Sequence, residues 1–266
     1  MMMKVEIMKY QSFNTDLYIN QNIFYLFNRS ITEYDMKEAG LSLTKEYKLL
    51  SKDKISDIEK APKKQRTVKL GLIQKDDKKF AENLKLAFMD ARERFFDSNN
   101  IVEDDIISIK KDAIFTTKYC EHQKIGEYIN FRPKNRYTSY VYLGKTSTQN
   151  KTIELYYGGG KLDVKGISED NLKLHDKYMS NIICTYFKYM EERSSKDALS
   201  YLSKICTKYK WKDMKLGYYR EFNTLSKLRF TDEEMYVHNE MDMPADGIDI
   251  TYNYFNILLR LIKVSL

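Results

Sequence analysis

Apolar residues change their spacing several times along the chain, and each change marks an element. Phe80, Leu84, Phe88, Ala91 and Phe95 recur three to four apart, while Lys78, Lys79, Lys85 and Arg92 fall elsewhere. That period predicts an amphipathic helix between Asp76 and Asp97, broken by Asn99-Asn100. Leu43, Tyr47 and Leu50 give Ala39 to Leu50 a helical period in which Gly40 is an awkward member, and Pro62 suits the first turn of a basic helix. Strand-like stretches lie between these. Ile31 to Tyr34 leads into Asp35, and Ile106 to Thr117 reads as strand–turn–strand around Lys110-Lys111-Asp112. Residues 4–31 before them are read as short strands, or a strand and a helix, around Ile23-Phe24-Tyr25-Leu26-Phe27.

Residues 125–167 are β-rich, with Tyr137 to Tyr142 and Ile153 to Tyr157 as strands. A Ser/Thr/Gln/Asn connection separates those two, and Gly158-Gly159-Gly160 follows as a turn. From Ser168 the pattern becomes helical, through Leu172, Met179, Ile183 and Phe187, then Leu199, Leu202 and Ile205. Ile248 to Leu266 fits a helix or a strand. The expected class is therefore α+β. Residues 1–167 would form an antiparallel sheet with helices, interrupted by a short basic segment at about 61–97, and residues 168–266 a mostly helical domain.

Composition narrows the function classes. A 42% hydrophobic content over 266 residues supplies a sizeable core, and 45 Lys+Arg against 38 Asp+Glu leaves a net charge of +7. A modest positive balance fits a polyanionic partner, and equally an ordinary solvated surface. Cys120, Cys184 and Cys206 are odd in number, far apart and outside any Cys-x-x-Cys pair, so neither a disulfide framework nor a zinc site is indicated. No apolar run approaches the roughly 18–20 residues of a membrane span, so a protein of the cytoplasm is expected. Heavy use of Lys, Asn, Ile and Tyr is that of an AT-rich genome, such as a low-GC bacterium or its virus.

The chemistry-bearing residues are two aspartates at strand edges with a basic run between them. Asp35 and Asp112, brought together by neighbouring strands, can hold Mg²⁺, a hard cation that takes oxygen ligands. Lys63-Lys64-Gln65-Arg66-Thr67-Val68-Lys69 supplies cations for a triphosphate, with Arg66 and Lys69 on one helical face and Lys64 sharing a face with Lys75. Gly158-Gly159-Gly160 lacks the Gly-Lys-Ser/Thr ending of a phosphate loop. Trp211 and Tyr218-Tyr219-Arg220 have the chemistry of base-stacking platforms, although core packing explains them as well.

The order of these segments resembles the palm of family B DNA polymerases. Asp35 through Leu43 resembles the family's first motif in its leading aspartate and trailing Ser42, without the Tyr and Pro. Lys64 to Gly71 has the cations of the second motif but not its Asn or Tyr-Gly. Ser108 to Phe115 resembles the third, Tyr-Gly-Asp-Thr-Asp-Ser, with Asp112 as the second aspartate and Lys110 where the first would stand. Lys134-Asn135-Arg136-Tyr137 and Lys165-Gly166-Ile167-Ser168 follow in the family's order.

The resemblance implies a viral, palm-type nucleotidyltransferase adding nucleotides to a primed nucleic acid in the host cytoplasm. Asp35 and Asp112 would be catalytic Mg²⁺ ligands. Lys64, Arg66 and Lys69 would hold the nucleotide, and Arg136, Tyr137 and Lys165 the nucleic acid. Residues 168–266 would be the thumb. Lys110 leaves a second reading open, a non-catalytic accessory or inhibitor protein on the same scaffold that binds nucleic acid or a protein partner. Asp104, Asp105 or Glu38 would replace the missing carboxylate if the protein is an enzyme.

Overall fold

A computed structural model describes residues 10, 12–144, 152–166, 179–210 and 260–265. The fold is α+β, built on two antiparallel sheets. In chain order the elements are β1 (Leu17–Ile19), β2 (Tyr25–Leu26), β3 (Ile31–Met36), α1 (Ala39–Glu46), α2 (Lys52–Lys60), α3 (Lys63–Asp76) and α4 (Lys78–Ser98). There follow β4 (Ile106–Lys110), β5 (Ala113–Thr116), β6 (Phe131–Tyr137), β7 (Ser139–Leu143), β8 (Ile153–Gly158), β9 (Lys161–Lys165), α5 (Met179–Glu192) and α6 (Ser195–Lys210).

Packing divides the chain into two units. One contains residues up to Asn22 and Ser30–Arg136; the other contains Ile23–Arg29 and the residues from Tyr137 onward. The boundary expected from sequence, at residue 167, lies outside the described residues.

The first unit is a five-stranded sheet in the order β1-β4-β5-β3-β6. Strand alternation gives it two unlike faces. Tyr18, Ile109, Ile114 and Tyr34 form one cross-strand row. They lie against the apolar stripe of α4, with Tyr34 5.5 Å from Phe95 and Phe131 4.5 Å from the same ring. On the other face Leu17, Lys110, Ala113 and Asp35 form a row, with Ser108, Phe115 and Glu33 in the next. Strand β6 closes this edge of the sheet, and its Pro133 suits an edge strand because proline donates no ladder hydrogen bond.

Gly40, out of place in a helix by propensity, has a packing reason. A Cβ there would come within 3.3 Å of Leu70 on α3, so glycine lets α1 and α3 approach closely.

The second unit has the sheet order β2-β7-β8-β9. Val141, Leu143, Leu155 and Tyr157 bury one face against Ile183, Tyr186 and Phe187 of α5 and Leu202 of α6, with Tyr157 stacked on Phe187 at 5.1 Å. Gly159 and Gly160 both have positive φ and close the β8–β9 hairpin, the turn expected from the glycine run. Trp211 and Tyr218-Tyr219-Arg220 lie outside the described residues. Among the described residues no helix is long and apolar enough to cross a membrane.

Candidate active site

Strands β3 and β5 pair with Asp35 opposite Ala113, so the residue before Ala113 falls beside the end of β3. That residue is Asp112, and its carbonyl accepts a hydrogen bond from Met36 N at 3.0 Å. Lys111, at φ 56°, and Asp112 form the two-residue turn that joins β4 to β5. The two aspartates, far apart in sequence, thus reach one end of one sheet. Their charges act on each other: burial pushes the Asp112 carboxyl up, and the Asp35 carboxylate pushes it further.

A buried arginine anchors the Asp112 turn. Arg92 on α4 is fully enclosed and donates to the Lys111 carbonyl at 2.8 Å, to Asn14 Oδ1 at 2.8 Å and to Asp16 Oδ1 at 3.2 Å. Burial lowers its pKa, opposed by the charges of Asp16 and Asp112. Arg92 was expected on the polar face of its helix. The Asn14–Asp16 segment covers that flank and supplies acceptors, which no helical period foretells.

Basic side chains crowd Asp35. Lys134 Nζ stands 3.3 Å from Glu33 Oε1 and 3.6 Å from Asp35 Oδ1, and Arg132 stands 3.8 Å from Asp35 Oδ2. Glu33 is nearly buried and also accepts from Asn135 Nδ2 at 2.5 Å. Desolvation works against the Lys134 charge, but Glu33 and Asp35 outweigh it and raise its pKa.

A cavity of about 380 Å³ opens in front of the aspartates. Its walls are Asp35, Lys111, Asp112 and Arg132 on the sheet side, Glu38 and the first residues of α1, and Lys63, Arg66, Thr67 and Gln74 of α3. Leu70, Leu84 and Phe88 give it an apolar floor. Glu38, left-handed at φ 47°, turns the chain sharply from β3 into α1. Its carboxylate pairs with Arg66 at 3.0 Å, and Arg66 Nε also donates to the Ala61 carbonyl at 2.8 Å.

The expected site residues separate in space. Asp35, Asp112 and Arg66 share the cavity. Lys69 faces α2 instead, paired with Asp57 at 2.7 Å, and Lys64 is exposed and off the cavity wall. The face of α3 that meets the cavity runs through Lys63, Arg66, Thr67, Leu70 and Gln74, so Lys63 stands where Lys64 and Lys69 were expected. Arg136 is exposed on β6 in the first unit. Tyr137 and Lys165 belong to the second, where both meet Asp163, Tyr137 by a 2.7 Å hydrogen bond and Lys165 by a 2.8 Å ion pair. Asp105, a candidate replacement carboxylate, caps its own short helix through Val102 N at 3.0 Å and pairs with Lys118. Lys134 and Arg132 stood in the sequence as alternating cations on a strand, a signal that period-two reading makes visible.

The family model described as Bacteriophage PBS1 gene 130 protein matches residues 8–266, nearly the whole chain. The chain belongs to the bacteriophage PBS1 gene 130 protein family. Comparison with curated protein sequences gave no match. The family kinship agrees with the viral origin expected from the sequence, and the family's description names no activity.

Asp112 also yields a stability prediction. An acid whose folded pKa is raised holds its proton more tightly when folded, so its stabilising effect is present below the ordinary carboxylate pKa. That effect is lost as pH rises through the folded value. Asp112→Asn should therefore melt higher than the unmodified chain at pH 7 in the presence of EDTA. The gap should shrink as pH falls toward about 4, the ordinary range for aspartate. Equal melting temperatures at pH 7 would remove the claimed desolvation.

Proposed function

We propose that the chain is a palm-type nucleotidyltransferase that adds nucleotides to a primed nucleic acid with Mg²⁺. The observation that carries this reading is the meeting of Asp35 and Asp112 at the mouth of a cavity walled by the basic face of α3. The donor set fits the ion. Mg²⁺ keeps several waters and is bound through one or two carboxylates together with substrate phosphates. Asp35 and Asp112 would be the protein's share of the ligands. When bound, the ion neutralises phosphate charge and favours ionisation of the attacking hydroxyl.

The remaining work belongs to the chain. Lys63 and Arg66 face the triphosphate as point charge and planar fork. The apolar floor of Leu70, Leu84 and Phe88 takes the less polar end of the nucleotide. Arg132, Lys134 and Arg136, alternating along β6, present cations to a nucleic-acid backbone, a contact without sequence preference. Glu38 holds Arg66 until a stronger anion takes it.

The test is incorporation of labelled nucleotides on primed DNA and RNA templates, with Mg²⁺ and with EDTA. Mg²⁺-dependent extension is expected; no extension on any template, with the protein folded, sinks the enzymatic reading. One observation favours the non-catalytic alternative, the basic side chains on both oxygens of Asp35. That alternative predicts salt-sensitive nucleic-acid binding unchanged by EDTA.

A further inference from the structure

The two-residue turn between β4 and β5 carries a lysine where its backbone favours glycine. Lys111, the first residue of the turn, has φ 56°, whereas Asp112 after it is not left-handed. A two-residue hairpin with positive φ only at its first position takes glycine there, because a side chain is strained in that conformation. Hydrogen bonds on both sides hold Lys111 in place. Its N–H donates to the Asp16 carbonyl at 2.8 Å, and its carbonyl accepts from Arg92 at 2.8 Å. Backbone geometry alone would be better served by glycine, so what the lysine adds is its side chain, which lines the cavity.

Two of the three carboxylates on the cavity wall already have cations. Asp35 has Arg132 and Lys134 on its two oxygens, and Glu38 has Arg66. Lys63, at the start of α3, and Lys111 line the same cavity and are exposed. Among the described residues, neither ammonium has a carboxylate within ion-pair distance. Lys111 and the neighbouring Asp112 carboxyl act on each other through their charges, without such a contact.

We infer that Lys111 is an anion-binding residue of the cavity and, together with Lys63, takes the condensed phosphate chain of its ligand. The identity of the anion rests on the nucleotidyltransferase reading, which so far draws its phosphate-facing cations from α3 alone. Lysine is a compact point charge with three donors on a flexible stem, and it meets phosphate oxygens without a fixed geometry. Lys63 and Lys111 can do so without first leaving a carboxylate, whereas Arg66 and Arg132 must.

Isothermal titration calorimetry of the full chain with inorganic pyrophosphate, in EDTA and low salt, tests this. The unmodified chain should bind. Lys111→Gly should weaken binding by about tenfold or more, the loss of a charge-assisted contact, while melting no lower. Lys111→Met should weaken it as much, and Lys111→Arg should keep most of it. Lys85→Met, at an exposed position of α4 off the cavity wall, should bind as the unmodified chain does. Unchanged binding in Lys111→Gly overturns the inference and leaves the nucleotidyltransferase reading intact. A loss in Lys111→Gly that Lys111→Met does not share also overturns it, since the backbone and not the charge would be responsible. Failure of the unmodified chain to bind pyrophosphate overturns it too, and Lys111-dependent binding of a DNA oligonucleotide in that case would mark a strand contact. Lys111-dependent pyrophosphate binding by a chain that incorporates no nucleotide upholds the anion site and removes only the reading that names its ligand.

Discussion

Replacing either Asp35 or Asp112 with Ala should cut Mg²⁺-dependent nucleotide incorporation by about a thousandfold or more, because a bound ion supplies several kcal/mol of transition-state charge stabilisation. The two substitutions should be far from additive, since both remove parts of one charge-binding unit. The double variant should be close to either single one. Single-turnover incorporation on a primed template measures this, with circular dichroism confirming that the sheet is retained. Both residues sit at the end of the sheet and not among its buried apolar residues, so the fold should survive. If either variant keeps more than about a tenth of the rate, the loss is under about 1.4 kcal/mol and that aspartate is no metal ligand.

The second large effect concerns Arg92. Arg92→Ala should destabilise the first unit by about 3–5 kcal/mol, the range for removing one partner from a buried ionic network. The cost has identifiable parts. The Asn14 side chain loses its donor in a buried setting, at about 1–3 kcal/mol, and the Lys111 carbonyl, on an exposed residue, loses less. Asp16, partly exposed, loses less. Arg92→Lys should lose less than Ala does, because it keeps a cation near Asp16, yet still lose stability, because one ammonium cannot serve three acceptors as the guanidinium fork does.

Urea denaturation followed by circular dichroism, with hydrogen exchange on the β4–β5 amides, would read both changes. Those amides should lose protection first, because Arg92 holds the turn between the two strands. A shift below 1 kcal/mol in Arg92→Ala would mean that water replaces the guanidinium freely. The same variant should slow incorporation beyond any loss of folded protein, since the Asp112 turn loses its anchor.

Local pattern carried much of the architecture. The three-to-four spacing from Phe80 to Phe95 marked α4, which runs Lys78–Ser98, and the alternation around Lys110-Lys111-Asp112 marked the β4–β5 hairpin. Pro62 placed the start of α3 at Lys63. These features need only neighbours in sequence, because backbone period and turn chemistry are local. The choice of cavity-facing cations was less legible. Lys69 has a helical position as good as that of Lys63 until α2 is present, and Asp57 then claims it. The roles of Arg92 and Lys134 depend on partners dozens of residues away, in Asn14–Asp16 and in Glu33–Asp35.

The sequence by itself determined an α+β chain with two strand-edge aspartates and a basic helix between them, because side-chain period and propensity act over a few residues. Only the tertiary structure decided that Asp35 and Asp112 meet, that Arg66 and Lys63 share their cavity, and that Lys134 covers one carboxylate. Those are consequences of strand order and register. Pairing β3 with β5 is a long-range choice, made by burying Tyr34, Ile114 and Ile109 together against α4.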